Sequence, residues 1–244
     1  MAFRTYSGLT LEVHRLRAAF AERGRAPREI LGVRHFRVDG GAQVAICGPS
    51  GTGKTTLLHL VAALMRPQRG IVRWGEIEVT ALPERAADLW RRETVGLVFQ
   101  QFHLFPGLSA FENVVLPLRF DHWSIEPAFQ SRALKLLDRV GVRPDGDVAS
   151  LSRGEQQRVA VARALLRKPA IVLADEPTAS LDRETANIVA DLLSTMCRAA
   201  GATLLVTTHD PALAGRLDAT YDIAGGDLRV RSAAAALQPL RSAA

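Results

Sequence analysis

Residues Gly48–Thr55 read GPSGTGKT and fit the pattern G-x-x-x-x-G-K-[ST], between a buried-strand pattern (Gln43–Cys47) and an apolar helical pattern (Thr55–Leu64). The glycines of such a loop let backbone N–H groups point inward at phosphate groups, and the following helix adds its positive dipole end. Lys54 is expected to reach the β- and γ-phosphates of a nucleotide, and the Thr55 hydroxyl to coordinate Mg²⁺. The predicted nucleotide-binding residues of this loop are Gly48, Pro49, Ser50, Gly51, Thr52, Gly53, Lys54, Thr55 and Thr56.

Two acidic residues stand at the end of another apolar strand. Ile171–Ala174 precede Asp175 and Glu176, and Pro177 then stops the strand. Open α/β sheets bind ligands at the carboxyl ends of their strands, so Asp175 is expected in the Mg²⁺ shell, directly or through water. Glu176 is expected to point to the other side of the chain and to act as the general base that polarises an attacking water.

The alternation of strand and helix patterns predicts an α/β fold. Ile171–Ala174 and Thr203–Thr207 flank the helical Arg183–Ala200, which is typical of a parallel sheet. Helical patterns between about residues 100 and 150 indicate a helical subdomain. The expected architecture is a P-loop NTPase core with a mainly parallel sheet, an antiparallel β-subdomain and this helical subdomain. The β-prone segments of the antiparallel β-subdomain are residues 9–16, 34–38 and 71–79.

The run Leu151–Arg158 (LSRGEQQR) predicts the start of another helix. Ser152 and Glu155 have the spacing of a capping box, and the helical pattern Val159–Arg167 follows them. Taken alone, the run describes an ordinary helix start, with free N–H groups and a nearby glycine.

Five motifs, in this order, resemble the ATP-binding subunit of an ABC transporter. The motifs are Gly48–Thr55, Leu151–Arg158, Ile171–Pro177, Ala179–Asp182 and Thr208–Asp210. The resemblance covers residues 8–225 as a single ATP-binding domain and leaves residues 226–244 as a C-terminal tail. It implies an ATPase with ATP and Mg²⁺ as cofactors, which dimerises around two ATP, as a homodimer or with a homologous ATPase, and drives a separate membrane permease.

One region of the chain resembles a particular branch of this family. The run QQFHLFPGLSAFENVVLPL, residues 100–118, is similar to the branch that serves lipoprotein release, macrolide export and cell division. The expected function of the permease that it drives is therefore export, or lipid or lipoprotein release. A cytoplasmic helix of the permease is expected to enter a groove bordered by Gln100–Pro106.

The signature run is expected to act in trans. In this family the glycine loop of one subunit faces the signature helix of the other, so the resemblance assigns the trans contacts to Ser152, Arg153, Gly154 and Glu155, with Ser152 and Gly154 on the γ-phosphate. The run reads LSRGE where the commonest family form is LSGGQ. Arginine beside phosphate is electrostatically tolerable and Glu155 preserves the capping box, so activity is expected to survive. The preceding stretch Arg143–Ser150 is shorter than is usual in the family.

The same resemblance implies a catalytic set. Gln100 matches the glutamine that touches Mg²⁺ and the attacking water and links the core to the helical subdomain, and its neighbour Gln101 is the alternative. His209 resembles the switch histidine that holds the γ-phosphate and Glu176. The predicted catalytic residues are Gln100, Glu176 and His209, and the predicted metal ligands are Thr55, Gln100 and Asp175.

Two further contacts follow from the resemblance. Asp182 lies in the turn that contacts the other subunit of the dimer. Phe20 is the candidate aromatic for stacking on adenine, and Tyr6 and Phe36 compete with it.

Composition and charge limit the cellular setting. The chain is 48% hydrophobic and 23% charged, which is typical of a globular domain and excludes a disordered chain. Its net charge is +6, but the basic residues are scattered, so a nucleic-acid partner is not expected. No apolar run approaches the ~20 residues that a membrane helix needs, and the first residues lack a secretory signal pattern. The chain is expected to lie at the cytoplasmic face of the inner or plasma membrane, where it is held peripherally.

Two other functions use the same ATPase. One is a membrane-associated regulator that signals to a partner without moving a solute, and the sequence leaves this alternative open. The other is a soluble DNA-repair or translation ATPase. This sequence has one nucleotide motif, no long heptad pattern and no cysteines at the spacing of zinc ligands. These features disfavour the second alternative.

Overall fold

The computed structural model describes residues 8–20, 28–120 and 124–233. The described chain combines strands with helices, as the α/β pattern predicts. The strands are β1 (Leu11–Phe20), β2 (Arg28–Val38), β3 (Gln43–Cys47), β4 (Arg69–Trp74), β5 (Ile77–Glu78), β6 (Val95–Val98), β7 (Ile171–Asp175), β8 (Thr203–Thr208), β9 (Ala219–Ala224) and β10 (Asp227–Ala233). The helices are α1 (Lys54–Val61), α2 (Glu84–Thr94), α3 (Ala110–Arg119), α4 (Pro127–Arg139), α5 (Arg153–Leu165), α6 (Arg183–Ala200) and α7 (Pro211–Ala214).

The larger sheet carries the chemical motifs. Its strand order is β10-β9-β3-β8-β7-β6, and every neighbouring pair from β9 to β6 is parallel. All residues of β3, β7 and β8 are buried, which is the burial expected when both faces of a parallel sheet are covered. Because the strands are parallel, the loops that follow β3, β7 and β8 emerge at one edge of the sheet.

The smaller sheet is the predicted antiparallel β-subdomain. Its order is β2-β1-β4-β5, and its pairs are antiparallel. Leu11, Val13 and Leu16 of β1 are fully buried, while the intervening residues lie at or near the surface. This alternation gives the sheet one apolar face, which packs onto the larger sheet.

Side chains of β7 join the two halves of the core. Ile171 and Leu173 pack in the cluster that contains α1 and the smaller sheet. Val172 and Ala174 pack in the cluster formed by α3, α4, α5 and α6. Successive residues of a strand point to opposite faces, so one strand fixes both layers relative to the site at its end.

The helical subdomain is built on α3, α4 and α5. Ser109 caps α3 with a full capping box: its hydroxyl accepts from the Glu112 N–H, and its own N–H and hydroxyl donate to the Glu112 carboxylate. These hydrogen bonds hold the pKa of Glu112 below its usual range. The predicted helical region of residues 100–150 contains α3 and α4, and α5 joins them through the shared apolar cluster.

The carboxyl end of the chain differs from the expectation of a tail from residue 226. Gly225 and Gly226 have φ angles of 60° and 82° and form a tight turn, after which β10 pairs with β9. The Gly32 N–H also donates to the Gly226 carbonyl at 2.9 Å, which ties the hairpin to β2. The larger sheet therefore continues through Ala233, and residues 234–244 lie outside the described residues.

Candidate nucleotide-binding and catalytic site

The glycine loop connects β3 to α1, as predicted. Gly53 is the N-cap of α1 with a φ of 98°, and an added Cβ would lie 2.9 Å from Ile30 Cγ2. A side chain is excluded there both by backbone conformation and by space. Helix α1 begins at Lys54, so its first N–H groups open toward the loop as the predicted phosphate contact requires.

Lys54 is folded back into its own loop. It is only 6% exposed, and its ammonium donates to the carbonyls of Gly48 at 2.9 Å and Pro49 at 3.1 Å. The same Nζ lies 3.2 Å from Glu176 Oε1. A carboxylate and two carbonyls therefore compensate the buried charge, at the place where the sequence predicts phosphate.

Asp175 lies at the end of β7 and faces the loop. Its Oδ1 accepts a hydrogen bond from Thr55 Oγ1 at 3.2 Å and another from the Thr207 hydroxyl. Side chains of α1 and β8 thus converge on the carboxylate at the end of β7. Thr207 was not among the predicted site residues. What marks Thr207 is its position in β8, because it stands opposite Asp175 in the parallel register of β7 and β8.

Glu176 leaves the strand in an unusual backbone conformation. Its φ is 44°, in the left-handed region that non-glycine residues rarely adopt. Its N–H donates to the Thr207 carbonyl at 2.9 Å, and its carboxylate turns back to Lys54 and His209. Strained backbone of this kind persists where surrounding contacts determine it, and such positions cluster at functional sites.

His209 completes this group from the end of β8. Its Nδ1 lies 2.8 Å from Glu176 Oε2, and its N–H donates to the same oxygen at 3.2 Å. The His209 side chain is 63% exposed, whereas that of Glu176 is 11% exposed. Glu176 is thus held between a buried ammonium and an imidazole that solvent or a ligand can reach.

The signature run adopts the predicted helix start. Ser152 is the N-cap of α5, with its hydroxyl 2.6 Å from Glu155 Oε2 and the Glu155 N–H 3.3 Å from that hydroxyl. The bonds from Ser152 lower the pKa of Glu155. Ser152 and Arg153 are exposed, so the first turn of α5 opens outward and is accessible to another molecule.

The remaining polar residues of the predicted site follow β6 or begin α6. Gln100 is exposed and follows β6, the neighbour of β7, by two residues, and Gln101 is exposed beside it. Asp182 is the N-cap of α6 and accepts a bond from the Thr185 N–H at 3.0 Å.

The aromatic candidates are only partly covered. Phe20 is the last residue of β1, and its side chain, like all of Tyr6, lies outside the described residues. Phe36 is 2% exposed and its ring packs edge-on against Tyr221 at 4.9 Å, so it is a core residue.

Gly154 shows why the signature turn needs a glycine. A Cβ at Gly154 would lie 2.2 Å from Cγ2 of Thr185, in the first turn of α6. We expect Gly154→Ala to destabilise the chain by about 1–3 kcal/mol, the usual cost of overpacking, despite the better helix propensity of alanine.

Urea denaturation measures this destabilisation. The double variant Gly154→Ala/Thr185→Ser removes the clashing methyl group and is expected to regain most of the loss. Gly146→Ala is the matched control, because its Cβ would meet nothing closer than 3.7 Å. Equal stability of Gly154→Ala and Gly146→Ala would contradict the packing described.

Comparison with known proteins agrees with this geometry. A family model described as ABC transporter matches residues 32–179. The lipoprotein-releasing system ATP-binding protein LolD of Legionella pneumophila (strain Paris) is 38% identical over 210 residues, covering 85% of this chain and 92% of that protein. LolD 1 of Caulobacter vibrioides is 42% identical over 190 residues, covering 77% and 81%. An uncharacterised ABC transporter ATP-binding protein of Mycobacterium tuberculosis (strain CDC 1551 / Oshkosh) is 40% identical, covering 84% and 83%.

Solved structures show the same fold. The ATP-binding cassette MJ0796, in a dimeric post-hydrolysis state with ADP and phosphate, superposes with a TM-score of 0.82 at 33% identity. The match covers 91% of this chain and 98% of that one. The nucleotide and the dimer belong to that structure, and its chain fold is the one described above.

The chain belongs to the ABC transporter family. Within it, the chain is an ATP-binding subunit of a membrane transporter, an ATPase that drives a separate membrane permease. It associates with the membrane peripherally, as a subunit of that transporter. In the described part of the chain, no helix combines the length and the apolar character that crossing a bilayer would take.

Proposed function

We propose that this ATPase, held at the cytoplasmic face of the inner or plasma membrane, powers the release or export of lipid-linked cargo such as lipoproteins. Two relatives at 38% and 42% identity are named for lipoprotein release, which supports this class of cargo. The alternative is a regulator that uses the same ATPase to signal to a membrane partner without moving a solute.

The observation that carries the proposed mechanism is the arrangement of Lys54, Glu176 and His209. In the structure Glu176 neutralises Lys54 at 3.2 Å. A bound γ-phosphate would take over Lys54 and free the Glu176 carboxylate, while His209 would keep that carboxylate in place. Nucleotide binding itself would therefore release the general base.

Hydrolysis then follows from the freed carboxylate. Glu176 accepts a proton from water as the water oxygen bonds the γ-phosphorus, and the bond to the bridging oxygen breaks so that ADP leaves with its electron pair. Lys54 and the N–H groups of the glycine loop stabilise the phosphate charge. Gln100 orients the water, and His209 holds Glu176 and the γ-phosphate.

Mg²⁺ fits the same edge of the sheet. Thr55 Oγ1 and Asp175 Oδ1 lie 3.2 Å apart, and hydroxyl and carboxylate oxygens are ligands that Mg²⁺ prefers. We propose these two residues, together with Gln100, as the protein ligands. When bound, the ion would neutralise charge on the β- and γ-phosphates.

The signature turn supports a pocket shared between subunits. Ser152 lies at an exposed helix start, where the capping box uses the N–H groups of Ser152 and Glu155 and leaves out those of Arg153 and Gly154. A helix start of this kind is a phosphate-binding geometry. We propose that Ser152 and Gly154 contact the γ-phosphate held by the other subunit, with Arg153 and Glu155 beside them. Two ATP would then join the dimer, and loss of the γ-phosphates would open it.

A groove beside the site suits the permease. A cavity of about 410 Å³ is lined by β6, by the segment after it and by the ends of α3 and α5. Phe105 and Phe120 line it and are 54% and 74% exposed, which is unusual for such large apolar side chains. We propose that a cytoplasmic helix of the permease enters this groove.

A reconstituted system tests the proposed cargo. We expect the chain and its permease, purified together into lipid vesicles, to release a fluorescent lipoprotein only with ATP and Mg²⁺, and the Glu176→Gln complex to release none. Permease-stimulated hydrolysis without release of any lipid-linked cargo would favour the regulator instead.

A further inference from the structure

A partly buried guanidinium, that of Arg163, links α5 to the segment that follows β6. Nη1 of Arg163 donates to the His103 carbonyl at 2.6 Å, and its Nη2 donates to the Phe102 carbonyl at 2.6 Å. Burial lowers the pKa of Arg163 to about 10, which still leaves the side chain charged at neutral pH. Charge-assisted bonds to two successive carbonyls fix both the position and the orientation of this backbone.

The same segment is fixed from a second helix. The Phe105 N–H donates to Oδ1 of Asn113 at 2.7 Å, and Nδ2 of Asn113 donates back to the Phe105 carbonyl at 3.1 Å. Asn113 is fully buried in α3. Within this segment His103, whose carbonyl accepts from Arg163, has a φ of 47°, a strained conformation that persists where surrounding contacts determine it.

These hydrogen bonds connect two distant site residues, Gln100 and Ser152, through helix α5. Gln100 stands two residues before Phe102, whose carbonyl accepts a hydrogen bond from Arg163. Ser152 caps the other end of the helix that carries Arg163, about 16 Å away at 1.5 Å per residue. Helix α5 is continuous between them, so it moves as a rigid element.

We propose that Arg163 is a positioning residue that makes Gln100 and Ser152 move together. This inference rests on the proposed roles of those two residues. Gln100 serves the nucleotide of its own subunit, whereas Ser152 serves the nucleotide of the other subunit. Through Arg163, occupancy of one site sets the geometry that the same chain offers to the second site.

Hydrogen exchange on the Glu176→Gln chain, with and without ATP and Mg²⁺, tests this link. In that parent we expect ATP to slow exchange in residues 48–56, 102–106 and 153–157. Coupling between sites is typically worth about 5- to 150-fold, so slowing at residues 102–106 should be at least about fivefold. Adding Arg163→Met is expected to remove the slowing at residues 102–106 and to leave the slowing at residues 48–56.

Two further variants separate positioning from folding. Arg163→Lys keeps the charge but presents one ammonium for two carbonyls, so the slowing at residues 102–106 should be intermediate. This variant carries the test if Arg163→Met does not fold. Arg119→Met, an exposed arginine of α3, is the matched control and should behave as the parent.

The possible outcomes are distinct. If Arg163→Met speeds exchange at residues 102–106 equally with and without ATP, so that the ATP-dependent ratio is unchanged, the role is only structural and the proposal is overturned. If the parent shows no slowing at residues 48–56 and 153–157, the proposed site roles fail, and this proposal fails with them.

Discussion

The Glu176→Gln chain is expected to bind ATP and to hydrolyse it about 10²–10⁴-fold more slowly than the parent chain, which is the usual contribution of a general base. Glutamine keeps the shape of glutamate but accepts no proton at this position. In the structure Glu176 also pairs with Lys54 at 3.2 Å, so the neutral amide competes less with a γ-phosphate for that ammonium. The affinity for ATP is therefore expected to be equal or higher.

Steady-state hydrolysis and equilibrium titration with labelled ATP measure the two effects separately. Glu84→Gln, which neutralises an exposed acid in the first turn of α2, is the control and should change neither quantity. A Glu176→Gln chain that turns over ATP at nearly the parent rate would remove Glu176 as the base.

The Lys54→Met substitution has the second large effect, and it acts on binding. Hydrogen bonds to charged groups contribute about 1.5–3 kcal/mol, which corresponds to about 10- to 150-fold weaker binding of ATP. Methionine keeps most of the apolar stem, so the packing around the loop is largely retained. The change also leaves Glu176, with an 11% exposed side chain, without its nearest positive charge.

The titration with labelled ATP measures this loss, and thermal unfolding reports whether the fold is intact. Lys135→Met, on the exposed face of α4, removes another lysine without touching the site and serves as the control. An unchanged affinity in the Lys54→Met chain would contradict the assignment of Lys54 as a phosphate contact.

The parts of the site that lie next to each other in sequence were predictable. The glycine loop and the acidic pair at residues 175–176 each combine a strand pattern with polar residues at its end, and parallel strands bring such ends to one edge. The capping box of Ser152 and Glu155 is also local, because both partners lie within one helical turn.

Contacts made across the fold were not predictable in this way. Glu176 adopts a left-handed backbone that its own propensity disfavours, and it does so because Thr207, Lys54 and His209 hold it from other elements. The bonds of Arg163 were missed for a related reason, since their acceptors are backbone carbonyls, which every residue possesses and no motif marks.

Sedimentation of the Glu176→Gln chain tests the central claim, that one ATP is bound by the glycine loop of one subunit and the signature turn of the other. We expect monomers without nucleotide and dimers with ATP and Mg²⁺. Adding Ser152→Glu places a negative charge where the γ-phosphate must lie, so the double variant should bind ATP and stay monomeric. Dimers that form equally well with Ser152→Glu, or a parent that stays monomeric with ATP and Mg²⁺, would contradict the shared pocket.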